Sequence, residues 1–361
     1  MAGMTALLLL SCSSTGLGLQ SLDENQTPVP PTAVVRRATF TPSQTMVTGT
    51  PPLPSLTPTP DLHPLSIAYL RARNYPGSDI VFEETLPPYD LYNRYLVSYQ
   101  SEDLTIYAYM TIPKGDVPAA GWPAIIFNHG YIPPKEYVST ERYTAYMDRL
   151  ANSGYIIFRP DYRGHGESEG FSGGAYGNPG YTIDVLNALT SLKKLPVMDK
   201  GRIGMWGHSM GGYITLRSMV IAGDIQAGVI WGGVVGTYED LAFNWRRSTG
   251  SLTAIPSTRG YWRRDLATRY GNPDENPEFW NSISANSYLN DLSGPIQLHH
   301  GEDDETVPIR FSEQLAEQIT LAGGLVEYYA YPGDNHNISN SFELAMRRSV
   351  DFFNQHLINQ Q

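Results

Sequence analysis

Gly207-His208-Ser209-Met210-Gly211 has the spacing G-x-S-x-G, and Gly212 follows it. The apolar run 203–206 comes directly before the motif, and a helix-like stretch comes directly after it. That is the strand–turn–helix context of a nucleophile elbow. Small residues at 207 and 211 let strand and helix approach closely, and the tight turn strains the backbone of Ser209. The hydroxyl then sits at a helix N-terminus, where developing negative charge is favoured. Acyl transfer through a covalent serine intermediate is the chemistry this arrangement serves.

A serine hydroxyl is a weak nucleophile until a base takes its proton. In this kind of site the base is a histidine late in the chain, after an acid, in the order Ser, Asp, His. Two loops fit: 300–308 (HGEDDETVP) and 332–336 (PGDNH), each just beyond a short apolar run. Open α/β sheets place their sites at such strand ends. His336 is the expected base. Either Asp303 or Asp304 can orient its imidazole, and spacing alone leaves both open. Glu302 and Glu305 read as solvated loop carboxylates. His299 and His300 end a strand and read as structural, while His63 and His356 lie at the margins of the domain.

The oxyanion needs two preorganised backbone N–H donors. Met210, directly after the nucleophile, supplies one. The loop after the first parallel strand, Phe127-Asn128-His129-Gly130-Tyr131, supplies the other, with Tyr131 N–H as the candidate. His129 and Gly130 shape that turn, and His129 reads as a buried packing histidine. The loop 161–168 (DYRGHGES) lacks the phosphate-cradling motif G-x-x-x-x-G-K-[ST] and carries acids, so it reads as a structural loop bordering the site.

These residues need a frame. The runs 124–127, 155–158, 203–206, 227–231, 296–298 and 326–330 are apolar without alternation, as strands buried on both faces are. Helix-like stretches at 140–152, 181–194, 210–222, 310–322 and 341–357 lie between or after them. The pattern predicts an α/β fold with a mostly parallel, doubly wound sheet. Residues 92–100 and 104–112 read as an antiparallel hairpin preceding it, the second strand alternating with a period of two. The interval 233–293 has no clean strand–helix unit but is rich in Tyr, Phe and Trp, so a small helical cap over the strand ends is expected.

The domain is expected to span 64–361. Residues 21–63 are rich in Pro, Thr and Ser, with little to bury, and read as a disordered spacer. The lone cysteine, Cys12, follows four leucines and Ser11. One cysteine excludes a disulfide within the chain and any cysteine-based metal site. The first 20 residues resemble a bacterial lipoprotein signal, with Cys12 as the lipidated residue, although no Lys or Arg precedes the apolar run. Export, with membrane attachment through Cys12, is the expectation. A formal net charge of -11 over 361 residues argues against non-specific nucleic-acid binding, which needs a basic face.

Together the stretches NHGY (128–131), DYRGHGES (161–168), RIGMWGHSMGG (202–212), YGNPDENPEFW (270–280), HGEDDETVP (300–308) and YPGDNH (331–336) resemble the α/β-hydrolase superfamily. More narrowly they resemble its prolyl-oligopeptidase and dienelactone-hydrolase-like group, from about residue 120 to the C-terminus. In that group the acid loop reads H-G-x-x-D-x-x-V-P, which implies Asp304 as the acid and leaves Asp303 outside it. The resemblance also implies Tyr131 and Met210 as oxyanion donors.

Oligopeptidases of that group carry a β-propeller before the hydrolase domain. About 60 residues between the Pro-rich stretch and the first parallel strand are too few for four blades. The expectation is therefore a carboxylesterase acting on a small-molecule ester with Ser209, His336 and Asp304, and needing neither metal nor organic cofactor. A serine peptidase or amidase with the same residues is the alternative. A non-catalytic binding protein would be favoured only if one of the three were missing.

Overall fold

The apolar runs pair into one ten-stranded sheet. The computed structural model describes residues 62–245 and 261–359, together with the backbone of a short strand at Val34–Arg36. The strands are β1 (Val34–Arg36), β2 (Val81–Leu86), β3 (Tyr92–Ser101), β4 (Leu104–Pro113), β5 (Trp122–Asn128), β6 (Ile156–Pro160), β7 (Met198–His208), β8 (Ala227–Trp231), β9 (Ile296–Gly301) and β10 (Val326–Tyr331). Their order across the sheet is β1-β10-β9-β8-β7-β5-β6-β4-β3-β2. The pairs from β6 across to β10 are all parallel. Strands β5, β6, β8 and β9 are buried nearly throughout, which is why their sequences show no alternation.

Helices cover both faces. They are α1 (Ile67–Ala72), α2 (Thr144–Asn152), α3 (Gly180–Leu192), α4 (Met210–Ile221), α5 (Tyr261–Tyr270), α6 (Pro277–Ile283), α7 (Arg310–Leu321) and α8 (Phe342–Phe353). Val185 and Leu189 of α3, Ile214 of α4, and Phe311 and Leu315 of α7 belong to one buried cluster. Met147 and Leu150 of α2, with Met346 and Phe353 of α8, belong to the other. The fold is the doubly wound α/β sheet that the pattern predicts.

Three local differences have physical causes. The antiparallel start has three strands, because β2 pairs with the outer side of β3. Five of its six residues are exposed, so it carries no burial signal in sequence. Strand β1 lies inside the stretch read as a spacer and pairs antiparallel with β10 at the other sheet edge. Helix α2 begins at Thr144 rather than at 140, because Arg142 and Tyr143 both sit at φ 54, in the left-handed region that a helix cannot continue through.

The described parts of the 233–293 interval are helical: α5, α6, a π-turn at Asp240–Asn244 and a 3₁₀ segment at Ala285–Asp291. They are tied to the carboxyl ends of the strands. Trp245 Nε1 donates to Thr306 O at 3.1 Å, and Arg310 donates to Asp240 at 2.9 Å. Buried Arg217 of α4 donates to Ile283 O at 2.6 Å. Tyr270 stacks on Phe279 at 3.9 Å between ring centres, so these two aromatics pack the cap itself. Residues 246–260, the signal-like segment around Cys12 and most of the 21–63 spacer lie outside the described residues. No described helix is long and apolar enough to cross a membrane.

The closest backbone approach is at the elbow. A Cβ on Gly211 would lie 1.8 Å from Asn128 O, and one on Gly207 would lie 2.4 Å from Gly211 O. Nothing lies within 4 Å of a Cβ built on Gly223, two residues beyond α4. Gly211→Ala is expected to destabilise the fold by about 3 kcal/mol, since rigid backbone must give way. Gly223→Ala should stay within about 0.5 kcal/mol of the parent. Urea unfolding of the two variants checks this, and equal midpoints would contradict it.

Candidate active site

Strand β7 delivers Ser209, and α4 starts immediately after it. Ser209 has φ 55 and ψ −117, a strained conformation for a residue with a side chain. Its backbone is held at both ends. Its N–H donates to Trp231 O at the end of β8 (3.0 Å), and its carbonyl accepts from Gly212 N and Val234 N, each at 3.0 Å. The residue is 9% exposed. Among the described residues its hydroxyl makes no hydrogen bond.

The loop after β10 carries His336. Asp334, fully buried, organises that loop: Oδ1 accepts from Asn335 N and Asn340 N, and Oδ2 accepts from Ser341 N at 2.8 Å. Gly301, at the end of β9, lies so close that a Cβ there would meet Asp334 O at 2.3 Å and Asn335 O at 2.4 Å. Asp334 was not singled out from sequence. Its only sign there is an Asp–Asn pair after a Pro-Gly turn, a common Asx pattern.

His336 Nδ1 donates to Asp304 Oδ2 at 2.6 Å. The other carboxylate oxygen, Oδ1, accepts from Thr306 N (2.8 Å) and Val307 N (2.9 Å). Asp303 is exposed, and only its backbone is engaged with this region, N–H to Asp334 O. Of the two acids that spacing left open, Asp304 therefore meets the imidazole. His300, read as structural, also touches this carboxylate. Its Nε2 lies 3.1 Å from Asp304 Oδ2 and 3.0 Å from Val307 O, and its Nδ1 pairs with Ser312 Oγ at 2.7 Å. Burial alone would raise the Asp304 carboxyl. Hydrogen bonds from His300 and His336, the charge of His336 and the Val307 N–H outweigh burial and hold it well below the usual carboxylate range.

The imidazole of His336 leans on Gly232, where a Cβ would come within 3.0 Å of Nδ1. Gly232 follows Trp231, whose carbonyl holds the Ser209 N–H. The Ser209 backbone and the His336 imidazole are thus both seated against the end of β8, without a direct hydrogen bond between hydroxyl and ring. Such contacts are often loose before substrate arrives. With Nδ1 protonated toward Asp304, Nε2 is the basic nitrogen.

The loop after β5 closes the other side. A Cβ on Gly130 would lie 3.2 Å from Ser209 Cβ, so the backbone leading into Tyr131 abuts Ser209. Met210 N–H, first in α4, has no intrahelical acceptor. His129 is buried, stacked on Tyr162 at 4.3 Å, and its basicity is strongly depressed, first by burial and then by Arg159 and His165. Within 161–168, buried Asp161 accepts from Tyr137 Oη (2.6 Å) and from Ser139 Oγ, while Arg163 forks onto buried Asp184. That loop braces its surroundings. Among the described residues no cluster of His, Cys, Asp and Glu could hold a metal.

The depressed Asp304 carboxyl links stability to pH. Its folded form stays ionised where the unfolded chain would take up a proton. Its contribution is complete above about pH 4, the ordinary carboxylate value, and is lost as pH falls toward the folded value. The unfolding free-energy gap between the parent and Asp304→Asn should therefore be largest near neutrality and shrink in acid. Urea titrations across that range measure it, and a gap independent of pH would contradict the assignment.

Known proteins place this architecture. The model of the prolyl oligopeptidase family matches residues 141–360. The uncharacterized peptidase YtmA of Bacillus subtilis (strain 168) is 28% identical over 192 residues, 52% of this chain and 67% of its own. The uncharacterized peptidase YuxL of the same strain is 26% identical over 272 residues, 72% of this chain but only 39% of its own length. Acetyl Xylan Esterase 1 from Thermoanaerobacterium sp. JW/SL YS485 shares the fold, with a TM-score of 0.57 at 16% identity, over 79% of this chain and 90% of that one. A family match over more than half the chain, on a doubly wound sheet with a serine elbow, makes this chain a serine hydrolase belonging to the prolyl oligopeptidase family.

Proposed function

We propose that the chain hydrolyses carboxylic esters through an acyl-enzyme on Ser209. One observation carries the reading: the imidazole of His336, hydrogen-bonded to Asp304, and the strained Ser209 turn converge on the end of one strand, β8. Ser209 Oγ attacks the ester carbonyl while His336 Nε2 takes its proton. Asp304 stays ionised at neutral pH, orients the ring through Nδ1 and stabilises the imidazolium. The N–H groups of Met210 and Tyr131 receive the oxyanion. His336 then gives its proton to the leaving alcohol. Water, activated by the same nitrogen, releases the acid and restores the hydroxyl. No step calls for a metal or organic cofactor.

The acetyl xylan esterase that shares this fold motivates the ester reading. The peptidase names of YtmA and YuxL favour the alternative, an amidase using the same residues. On the reading that the cap narrows the pocket, short acyl chains should be turned over best.

Ser209→Ala is expected to lower kcat on a nitrophenyl ester by roughly 10⁴-fold or more, with Asp304→Asn approaching that loss. Fluorophosphonate should label the parent and spare Ser209→Ala. Nitrophenyl acetate and butyrate should outpace both longer acyl esters and an aminoacyl nitroanilide. Faster cleavage of the anilide would replace the esterase reading with the amidase one.

A further inference from the structure

One chain of hydrogen bonds near the site has no role in the mechanism above. Gly130 N–H donates to Tyr143 Oη at 3.0 Å. Tyr143 Oη pairs with His208 Nδ1 at 2.8 Å, and His208 Nε2 pairs with His336 O at 3.1 Å. The chain touches each of the three segments that build the site. Gly130 precedes Tyr131 in the loop after β5, His208 precedes Ser209 at the elbow, and His336 is the base itself.

The direction of every bond is determined. The His336 carbonyl can only accept, so His208 Nε2 carries a hydrogen. Burial, reinforced by the neighbouring His336, lowers His208 to about 3, so it is neutral and Nδ1 is an acceptor. The Tyr143 hydroxyl must then donate to Nδ1, which leaves its oxygen to accept from Gly130 N–H. The bonds run one way from Gly130 to His336, an arrangement in which each strengthens the next.

The foot of the chain is anchored. Tyr143 follows Arg142 in a second consecutive left-handed conformation, which non-glycine residues keep only when their surroundings hold them. Here buried Arg159 does so, donating to Glu141 O and Arg142 O at 2.9 Å each and to Ser139 O. The Tyr143 ring packs on Phe127 at 5.5 Å, a contact a phenylalanine would keep. Only the hydroxyl needs to be tyrosine.

We infer that Tyr143 and His208 are positioning residues. Their hydrogen bonds hold the oxyanion loop, the nucleophile elbow and the His336 loop in one register, so that imidazole and hydroxyl meet correctly. This rests on the esterase reading, because the register matters only if Ser209 and His336 react together.

The test compares Tyr143→Phe, His208→Leu and His208→Gln with the double variant Tyr143→Phe/His208→Leu, using nitrophenyl acetate. Gln offers an oxygen to accept from Tyr143 and an N–H to donate to His336 O. Tyr143→Phe and His208→Leu should lose roughly 10- to 100-fold in kcat with KM within about twofold, the scale of a small misplacement. His208→Gln should stay within about fivefold of the parent. The double variant should be no slower than the slower single, because one chain is broken either way. Three results would overturn the inference: near-parental kcat in both disrupting variants, an equal loss in His208→Gln and His208→Leu, or losses that multiply. If Tyr143→Phe fails to fold, the two His208 variants decide alone. Activity retained by Ser209→Ala would instead sink the esterase reading, whatever the other variants do.

Discussion

The site depends on how closely β7, α4 and the end of β5 can approach. Gly211 touches the Asn128 carbonyl at a distance that no side chain would permit, and Gly207 touches Gly211 in the same way. That contact makes the turn at Ser209 tight enough to drive its backbone to φ 55. The strain persists because the Trp231 carbonyl and the Gly212 and Val234 N–H groups over-determine the residue. A looser turn would relax the serine into the helix and remove its hydroxyl from the strand ends.

Around that turn, each buried carboxylate has partners. Asp304 is embedded among two imidazoles and two backbone N–H groups, which together offset its desolvation and keep it ionised. Asp334 answers three N–H groups of its own loop and so fixes where His336 emerges. Asp161 and Arg159 fasten the segment from Tyr137 to Arg142. None of these is a surface ion pair of the kind that contributes little. Each sets the path of a loop that borders the candidate site, which is how rigid scaffolds carry function on loops.

Legibility in the sequence followed burial. The six unbroken apolar runs, 124–127 through 326–330, are all strands of the sheet, and 92–100 and 104–112 form the antiparallel pair ahead of them. Strand β2 was not legible because, at the sheet edge, both its apolar and its polar residues are exposed, and VFEETL neither alternates nor runs unbroken. Strand β1 escaped because pairing along an edge is backbone chemistry and needs little side-chain hydrophobicity. The start of α2 was misplaced by four residues because a left-handed pair, Arg142 and Tyr143, is held by a distant arginine rather than by glycine. Local propensity carries no record of such a clamp.

Motif spacing by itself located the serine elbow and the strand-end loops that carry His336 and the two candidate acids, because steric limits on a tight turn restrict which residues can occupy it. It did not separate Asp303 from Asp304, since both satisfy the same spacing; only the three-dimensional path of the 301–307 loop turns one carboxylate toward His336 and the other toward solvent. Nor could it show that His300 touches that carboxylate, that Asp334 builds the base loop, or that Tyr143 reaches His208 across 65 positions of chain. Those are contacts between residues remote in sequence. They exist only once the sheet has brought its strand tips together, and tertiary packing alone decides them.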